Sequence, residues 1–461
     1  MSPSQPPRPL LHTLASLTGN VLEWYDFSVF GFFSDVISKV FFPPQAGNSA
    51  LMESFAVFGG AFLMRPVGGV LLGYIGDTHG RKRALELSIF LMAIPTFVMG
   101  CLPSYERIGG WAVVLLVLTR MLQGMSVGGQ LMSSLVFTVE GSPKEKWGLN
   151  GSFVMMAANL GTLVGGIVAW GVRASLTEDQ LLSWGWRLPF LSGVCVVGVG
   201  VYLKNNVEEL DHLGQNAIAS SPNPSSPIPK PLPPKHNPLK DALFKNTRQL
   251  IAASLVPMIW CCSFYLGFVW LSIFMKDLVE PPYEDAFKIN SLSLFFGVVL
   301  TFPAGGILSD MYGRNKIMMI GGYGLMVYAP IGIYIISTAG SNSEAFFAQT
   351  AFGLILSLYG APMLTWMVES FPVESRLTSI SIGYNVAQAL IGGTTPAIAT
   401  VLVDTFGPTA PGFYVSFICV LSLIGLSIVS PRREEGGGRG FESNTLLEVE
   451  FTNRGGQSKI V

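Results

Sequence analysis

Gly73-Tyr-Ile-Gly-Asp77-Thr-His-Gly80-Arg81 and Gly306-Ile-Leu-Ser-Asp310-Met-Tyr-Gly313-Arg314 are two copies of one pattern, G-x-x-x-D-x-x-G-R. Matched positions (73 and 306, 77 and 310, 80 and 313, 81 and 314) all stand 233 residues apart. Each copy closes one long apolar run and opens the next. A polar turn repeated half a chain apart between hydrophobic helices implies a membrane protein of two related halves. A second pair agrees. Glu140-Gly-Ser-Pro143-Lys-Glu145 and Glu369-Ser-Phe-Pro372-Val-Glu374 share E-x-x-P-x-E at an offset of 229, the change expected if one loop lost a few residues.

Composition bounds the class. Of 461 residues, 50% are hydrophobic and only 12% charged, where soluble domains carry about 25% charged residues. Runs long enough to cross a bilayer, roughly 20 residues each, recur along the chain. Twelve are expected, centred near residues 28, 62, 93, 125, 160, 195, 261, 298, 327, 356, 390 and 421. The expectation is an all-α membrane protein with twelve transmembrane helices in two pseudo-symmetric six-helix bundles. A net charge of −1 and the lack of a dense basic stretch argue against nucleic acid as a partner. The five cysteines have no metal-site spacing and mostly fall in apolar runs, so they read as small packing residues.

Lys and Arg alternate between loops. Arg81, Lys82, Arg83, Lys144, Lys146, the Lys-bearing central segment, Arg314, Lys316 and Arg376 mark one side. The other holds only Lys39, Arg107, Arg173, Lys276 and Lys288. The positive-inside rule places the richer side, with both termini, in the cytoplasm. The expected organisation is a cytoplasmic tail over 1–12, a first bundle over 13–205, a Pro-rich cytoplasmic linker over 206–245, a second bundle over 246–430 and a disordered cytoplasmic tail over 431–461. The linker contains SPNPSSPIPKPLPPKHNP, too proline-rich to bury apolar surface. The N-terminus shows no cleavable secretory pattern.

In each repeated turn the glycines permit a sharp reversal and close packing. The Asp stands four residues before the Arg and can pair with it or accept from the N-terminus of a neighbouring helix. Gly73, Asp77, Gly80, Arg81 and Glu140 in the first half, with Gly306, Asp310, Gly313, Arg314, Glu369 and Arg376 in the second, are therefore expected to form a cytoplasmic gate. Glu369 and Arg376 are expected to pair. Glu140 has only Lys146 nearby, so its latch is expected to be the weaker.

Charges also lie within apolar spans: Glu23 and Asp26 in the first, Arg65 in the second and Arg120 in the fourth. Two acids and two bases balance, and intramembrane ionisable groups usually face a cavity or one another. They read as a polar pathway in which a carboxylate takes a proton. The alternative is a purely structural ion-pair cluster. Trp24 and Tyr25 beside Glu23 offer aromatic faces for a cation. No histidine lies in a span, since His12, His79, His212 and His236 fall in tails, turns or linker, so any proton coupling must run on carboxylates. No nucleotide loop, metal cluster or nucleophile triad is visible, so no cofactor or metal is expected and an enzyme is disfavoured.

Residues 19–33 (GNVLEWYDFSVFGFF), 62–69 (FLMRPVGG), 120–129 (RMLQGMSVGG), 184–190 (WGWRLPF) and 369–396 (ESFPVESRLTSISIGYNVAQALIGGTTP) resemble the metabolite:proton symporter family of the major facilitator superfamily. That family includes proline/betaine, α-ketoglutarate, citrate and shikimate carriers. The resemblance implies uptake of a zwitterion or organic acid with a proton, Asp26, Arg65 and Arg120 in the central pathway, and the repeated turn as the gate. In one departure, Gln130 follows Gly128-Gly129 where the family usually has Glu. A neutral amide carries no proton, which keeps an uncoupled uniporter in view. The fifth span lacks the Gly-Pro pair of antiporters, which disfavours drug/proton antiport. Three readings follow: a proton-coupled carrier of a small polar metabolite, a uniporter of the same substrates, and a non-transporting membrane sensor. A monomer in the plasma membrane is expected.

Overall fold

The computed structural model describes residues 10–43, 49–79, 81–140, 142–192, 194, 238–338, 340–372 and 375–429. For residues 10–19, 49–52, 55–56, 58, 73–74, 76–79, 81–86, 89, 137, 238 and 241 it describes the backbone alone. Gly80, most of the expected linker and the tail from 431 thus lie outside the described residues, as do the side chains of Asp77 and Arg81.

The described chain is helical almost throughout. Its first half runs through α1 (Leu10–Phe32), α2 (Ser34–Phe41), α3 (Ser49–Leu63), α4 (Arg65–His79), α5 (Arg81–Cys101), the short α6 (Tyr105–Ile108), α7 (Gly110–Glu140), α8 (Trp147–Ser175), the single turn α9 (Glu178–Gln180) and α10 (Arg187–Leu191). The second half comprises α11 (Thr247–Leu278), α12 (Ala286–Tyr312), α13 (Arg314–Thr338), α14 (Asn342–Ser370), α15 (Arg376–Phe406) and α16 (Ala410–Ile428). Eight of these helices (α7, α8 and α11–α16) are long and apolar enough to cross a membrane, with α8 counted from Lys144. Three other spans are broken or charged at one end: α1 and α2 meet at Phe33, α3 and α4 at Met64, and α5 begins Arg-Lys-Arg; the span expected near residue 195 lies mostly outside the described residues.

One expected boundary shifts. Helical structure begins at Pro238, inside the segment expected to be linker up to 245, and continues to Lys245. Proline is well suited to a first helical turn, where its missing N–H has no intrahelical partner to lose.

Small residues set how closely the helices approach. A Cβ on Gly124 of α7 would overlap the Ala61 carbonyl of α3, and one on Gly128 would overlap the Arg65 carbonyl of α4. Where lipid supplies no hydrophobic drive between helices, such close backbone contact supplies the packing energy. It also holds α4 against α7, the helices whose Arg65 and Arg120 both reach the Phe27 ring.

Gly124→Val forces two backbones apart. Overpacking of this kind costs about 1–3 kcal/mol, and a backbone clash lies at the upper end. A lower midpoint in a thermal-shift assay on detergent-solubilised protein is expected; an unchanged midpoint contradicts the packing described.

Candidate functional site: a buried charge cluster between two latches

The turn motif lies at one end of the bundle, called here the motif face. Phe41, Ser175 and Leu278 end their helices at the opposite face.

At the centre, Asp26 of α1 accepts through Oδ2 from Gln123 Nε2 of α7 at 2.9 Å. The same nitrogen donates to Thr96 Oγ1 of α5 at 2.8 Å. Gln123 Oε1 accepts from Arg120 Nη1 at 2.8 Å. Arg120 and Gln123, three apart on one helix, present the same face. The orientation of the amide is unambiguous, because a carboxylate can only accept and a guanidinium can only donate. Asp26 and Arg120 are therefore joined through an amide.

Arg65 begins α4. Its guanidinium carbon lies 4.0 Å from the ring centre of Phe62 and 4.5 Å from that of Phe27. The Arg120 guanidinium lies 4.9 Å from Phe27 and 4.2 Å from Phe30. The Phe27 ring thus has a guanidinium near each of its flanks. Each cation–π contact is worth about 0.5–2 kcal/mol, more when desolvated. Tyr265 of α11, from the second half, stacks on Trp24 and meets Phe62 edge to face at 5.0 Å. Glu23 is buried and its carboxylate accepts no hydrogen bond. Glu23, Asp26, Arg65 and Arg120 are each no more than 2% exposed.

Two residues expected in this pathway bond outside the cluster, Tyr25 on another face of α1 and Gln130 on the Gln123 face of α7 but two turns further along. The Tyr25 hydroxyl lies 3.3 Å from the Pro189 carbonyl and 3.1 Å from Ser192 Oγ, toward α10. One helical residue turns the side chain by 100°, which takes Tyr25 off the face of Asp26. Gln130 accepts from Ser88 of α5 at 3.4 Å, two turns along α7 from Gln123. Gln123, Thr96 and Tyr265 enter the cluster unanticipated, as neutral polar residues in apolar spans.

At the motif face, Asp310 of α12 accepts from the backbone N–H groups of Gly148 and Leu149, both at 2.9 Å. These belong to the first turn of α8, whose N–H groups have no intrahelical partner and whose dipole favours an anion. A second-half carboxylate thus caps a first-half helix. Arg314 donates to Asp310 at 2.5 Å and, through Nη2, to Glu369 at 3.2 Å. A Cβ on Gly306 would lie 2.6 Å from the Gly148 carbonyl, so glycine admits α8 at this point. Gly313, with φ of 94°, turns the chain into α13.

The expected Glu369–Arg376 pair is replaced by a crossed arrangement. Arg376 Nη1 donates to Glu140 Oε1 of the first half at 2.7 Å, while Glu369 takes Arg314. The Glu140 latch, expected to be weak, is completed from the other half. Of the first motif copy, Gly73 and Asp77 lie in α4 and Arg81 in α5, with their side chains outside the described residues.

The opposite face carries a latch that the sequence reading did not contain. Arg173 of α8 grips both oxygens of Asp35 on α2, and Lys276 of α11 reaches Asp35 Oδ2 from the second half at 3.1 Å. The Arg173 guanidinium also lies 4.5 Å from the ring centre of Phe287 on α12. Asp35 and Arg173 are only 12% and 11% exposed. Nearby Lys39 lies 2.8 Å from Glu178 and holds that carboxyl below its usual range. Both partners are exposed, so this pair contributes little.

With this geometry in view, comparison with known proteins is decisive. A "Sugar (and other) transporter" family model matches residues 11–203, and a "Major Facilitator Superfamily" model matches residues 283–455. The proline/betaine transporter of Escherichia coli (strain K12) is 30% identical over 413 residues, covering 89% of this chain and 81% of that one. The citrate-proton symporter of Klebsiella pneumoniae is 30% identical over 422 residues, covering 88% of each. Among solved structures, the xylose transporter XylE from E. coli, in a partially occluded inward-open conformation, matches with a TM-score of 0.71 at 17% identity, over 93% of this chain and 98% of that one. The outward conformation of FucP matches with a TM-score of 0.60 at 12% identity, over 92% of this chain and 99% of that one. The fold is that of a multi-pass membrane transporter with twelve helices. The chain belongs to the major facilitator superfamily and, within it, to the metabolite:proton symporter family; it is a transporter rather than an enzyme.

The two latches make opposite predictions. Asp310→Asn weakens a charge-assisted bond worth about 1.5–3 kcal/mol, so a thiol at Thr365→Cys near the motif face should label about tenfold faster. Lys276→Ala should instead speed labelling at Ser291→Cys in α12. Equal labelling of both reporters in both variants contradicts the assignment.

Proposed function

We propose that the chain is a proton-coupled symporter of a small zwitterionic or organic-acid metabolite, working by alternating access. The observation that carries this reading is the placement of the Asp26–Gln123–Arg120 triad. It is fully buried, at mid-depth, between an ion latch at each face that joins the two halves. A carboxylate there exchanges protons with only one side at a time if only one latch opens at a time.

The chemistry divides among the residues. Asp26 takes the proton, because its Oδ1 is buried and accepts no hydrogen bond. Arg65 and Arg120 attract a substrate carboxylate, the aromatic faces of Trp24, Phe27 and Phe62 suit a cationic group, and Glu23 balances charge. A monocarboxylate bound with one proton leaves the site neutral and a zwitterion bound with one proton leaves it a single positive charge, so in either case little net charge is carried across. A membrane potential of about 100 mV supplies roughly 2.3 kcal/mol per charge moved. The proline/betaine and citrate carriers among the relatives support these substrate classes. The richer Lys and Arg content of the motif-face loops supports the cytoplasm on that side, with both termini there and the plasma membrane as host. Residues 13–205 and 246–430 are the two moving bundles in this reading, and a single copy contains both halves of the site.

The uniporter reading rested on Gln130. That side chain meets Ser88 rather than Asp26, so its neutrality removes no proton acceptor from the triad.

A proteoliposome screen of proline, glycine betaine, α-ketoglutarate, citrate and shikimate, with and without an inward pH gradient, identifies the substrate. Asp26→Asn is expected to abolish accumulation, by at least about tenfold, while substrate exchange persists. Undiminished uphill uptake by that variant sinks the proton assignment.

A further inference from the structure

Gln123 is unusual among the buried amides because both its donor and acceptor groups are engaged with ionisable partners. One N–H goes to the Asp26 carboxylate, one to the Thr96 hydroxyl, and the carbonyl receives Arg120. Its side chain is fully buried. Thr96 is itself anchored, donating to the Met92 carbonyl at 2.8 Å. The amide therefore cannot turn without losing three hydrogen bonds at once.

This geometry has a consequence for charge. Without the amide, a carboxylate and a guanidinium at this depth would close into a direct ion pair, since a buried charge left alone is costly. With it, Asp26 feels Arg120 at one remove and keeps Oδ1 open. Among the described residues, the other charged or titratable groups of the cluster are Glu23 on the same helix, Arg65 from α4 and Tyr265 from α11. None of them bonds to Asp26 Oδ2.

We propose that Gln123 is the positioning residue of proton coupling: its carboxamide holds Asp26 and Arg120 apart and passes the charge state of one to the other. A proton arriving on Oδ1 weakens the bond from Gln123 to Oδ2. The carbonyl end then loosens its hold on Arg120, which turns toward an incoming substrate carboxylate. When Arg120 releases the substrate it returns to Gln123, the amide regains the carboxylate, and the proton leaves. The proton is the only species exchanged with Asp26, and no covalent bond other than O–H is made or broken. The inference rests on the symport reading above.

The test is the external-pH profile of uptake in proteoliposomes, with radiolabelled proline, glycine betaine and citrate as probes. Gln123→Met removes the spacer while keeping similar volume. Asp26 and Arg120 then pair directly, and the profile should move toward acid by about one pH unit. Gln123→Glu gives Arg120 its own carboxylate and sets a second negative charge beside Asp26. The profile should move toward alkaline pH by a similar amount. Substrate exchange without a gradient should fall in both, because Arg120 gains a carboxylate partner that competes with the substrate, so the direction of the profile shift is the deciding readout.

Opposite shifts support the proposal. Unshifted profiles with lowered rates show a merely structural amide and overturn it. If the methionine variant does not fold, the glutamate variant decides alone. Failure of both to fold also counts against the proposal, because a positioning role leaves helix packing intact. Wild-type uptake of all three probes that ignores a pH gradient sinks the symport reading itself, a result distinct from a responsive wild type with unshifted variants.

Discussion

Two guanidinium groups buried in the middle of a membrane protein dictate much of the rest. Neither Arg65 nor Arg120 reaches water, and a centrally placed charge in a bilayer costs several kcal/mol even after local relaxation. The molecule meets that cost in three ways. Glu23 and Asp26, one helical turn apart on α1, supply equal negative charge. Phe27 stands between the two cations and offers each of them a ring. Gln123 converts the contact of Arg120 with Asp26 into a mediated one. The close glycine contacts between α7 and its neighbours α3 and α4 serve the same need, because they bring together the helices that carry the two arginines.

The two latches solve a related problem at the faces. Each joins the halves with charges that water can stabilise once they separate, so opening exchanges one set of partners for another. At the motif face the Asp310 carboxylate meets backbone donors that have no other partner within their helix. At the opposite face a single carboxylate, Asp35, serves two cations, one from each half. Buried ion pairs stabilise weakly against apolar packing but are lost at high cost when one member is removed. Such a contact is well suited to a two-position device, because it is either made or fully solvated.

How much of this was legible in the sequence depended on the kind of signal. The halves, the helical class and the four buried charges could be read because repetition and intramembrane charge are rare. The identity of partners was less visible. Glu369 and Arg376 are seven residues apart, so local reasoning joined them, yet the fold brings Arg376 to Glu140 across 236 residues. Gln123, Thr96 and Tyr265 carry no formal charge and stand among apolar neighbours, so nothing in composition singled them out. Their importance arises only when three helices and the second half converge. Tyr25 was placed by its nearness to Glu23, but two helical residues turn a side chain by 200°, onto the far face of the helix. Asp35 was overlooked because a single acid near a helix end looks like ordinary solvation until Arg173 and Lys276 are seen to share it.

α8 links these observations. Its first-turn N–H groups are held by Asp310 of the second half, and Arg173, near its other end, holds Asp35 and packs on Phe287. With 29 residues at 1.5 Å each, it is about 43 Å long. A helix of this kind transmits a rigid-body rotation rather than absorbing it. In the proposed symport cycle, release at the Asp310 end leaves the Arg173 end as the pivot, and release at the Arg173 end does the reverse. Gly161, midway along α8, allows the Val21 carbonyl of α1 to approach it, so the helix bearing Glu23 and Asp26 packs directly on this lever. The proposed cycle uses this contact: it joins a change at either face to the carboxylates at the centre, and a protonation at the centre to both faces.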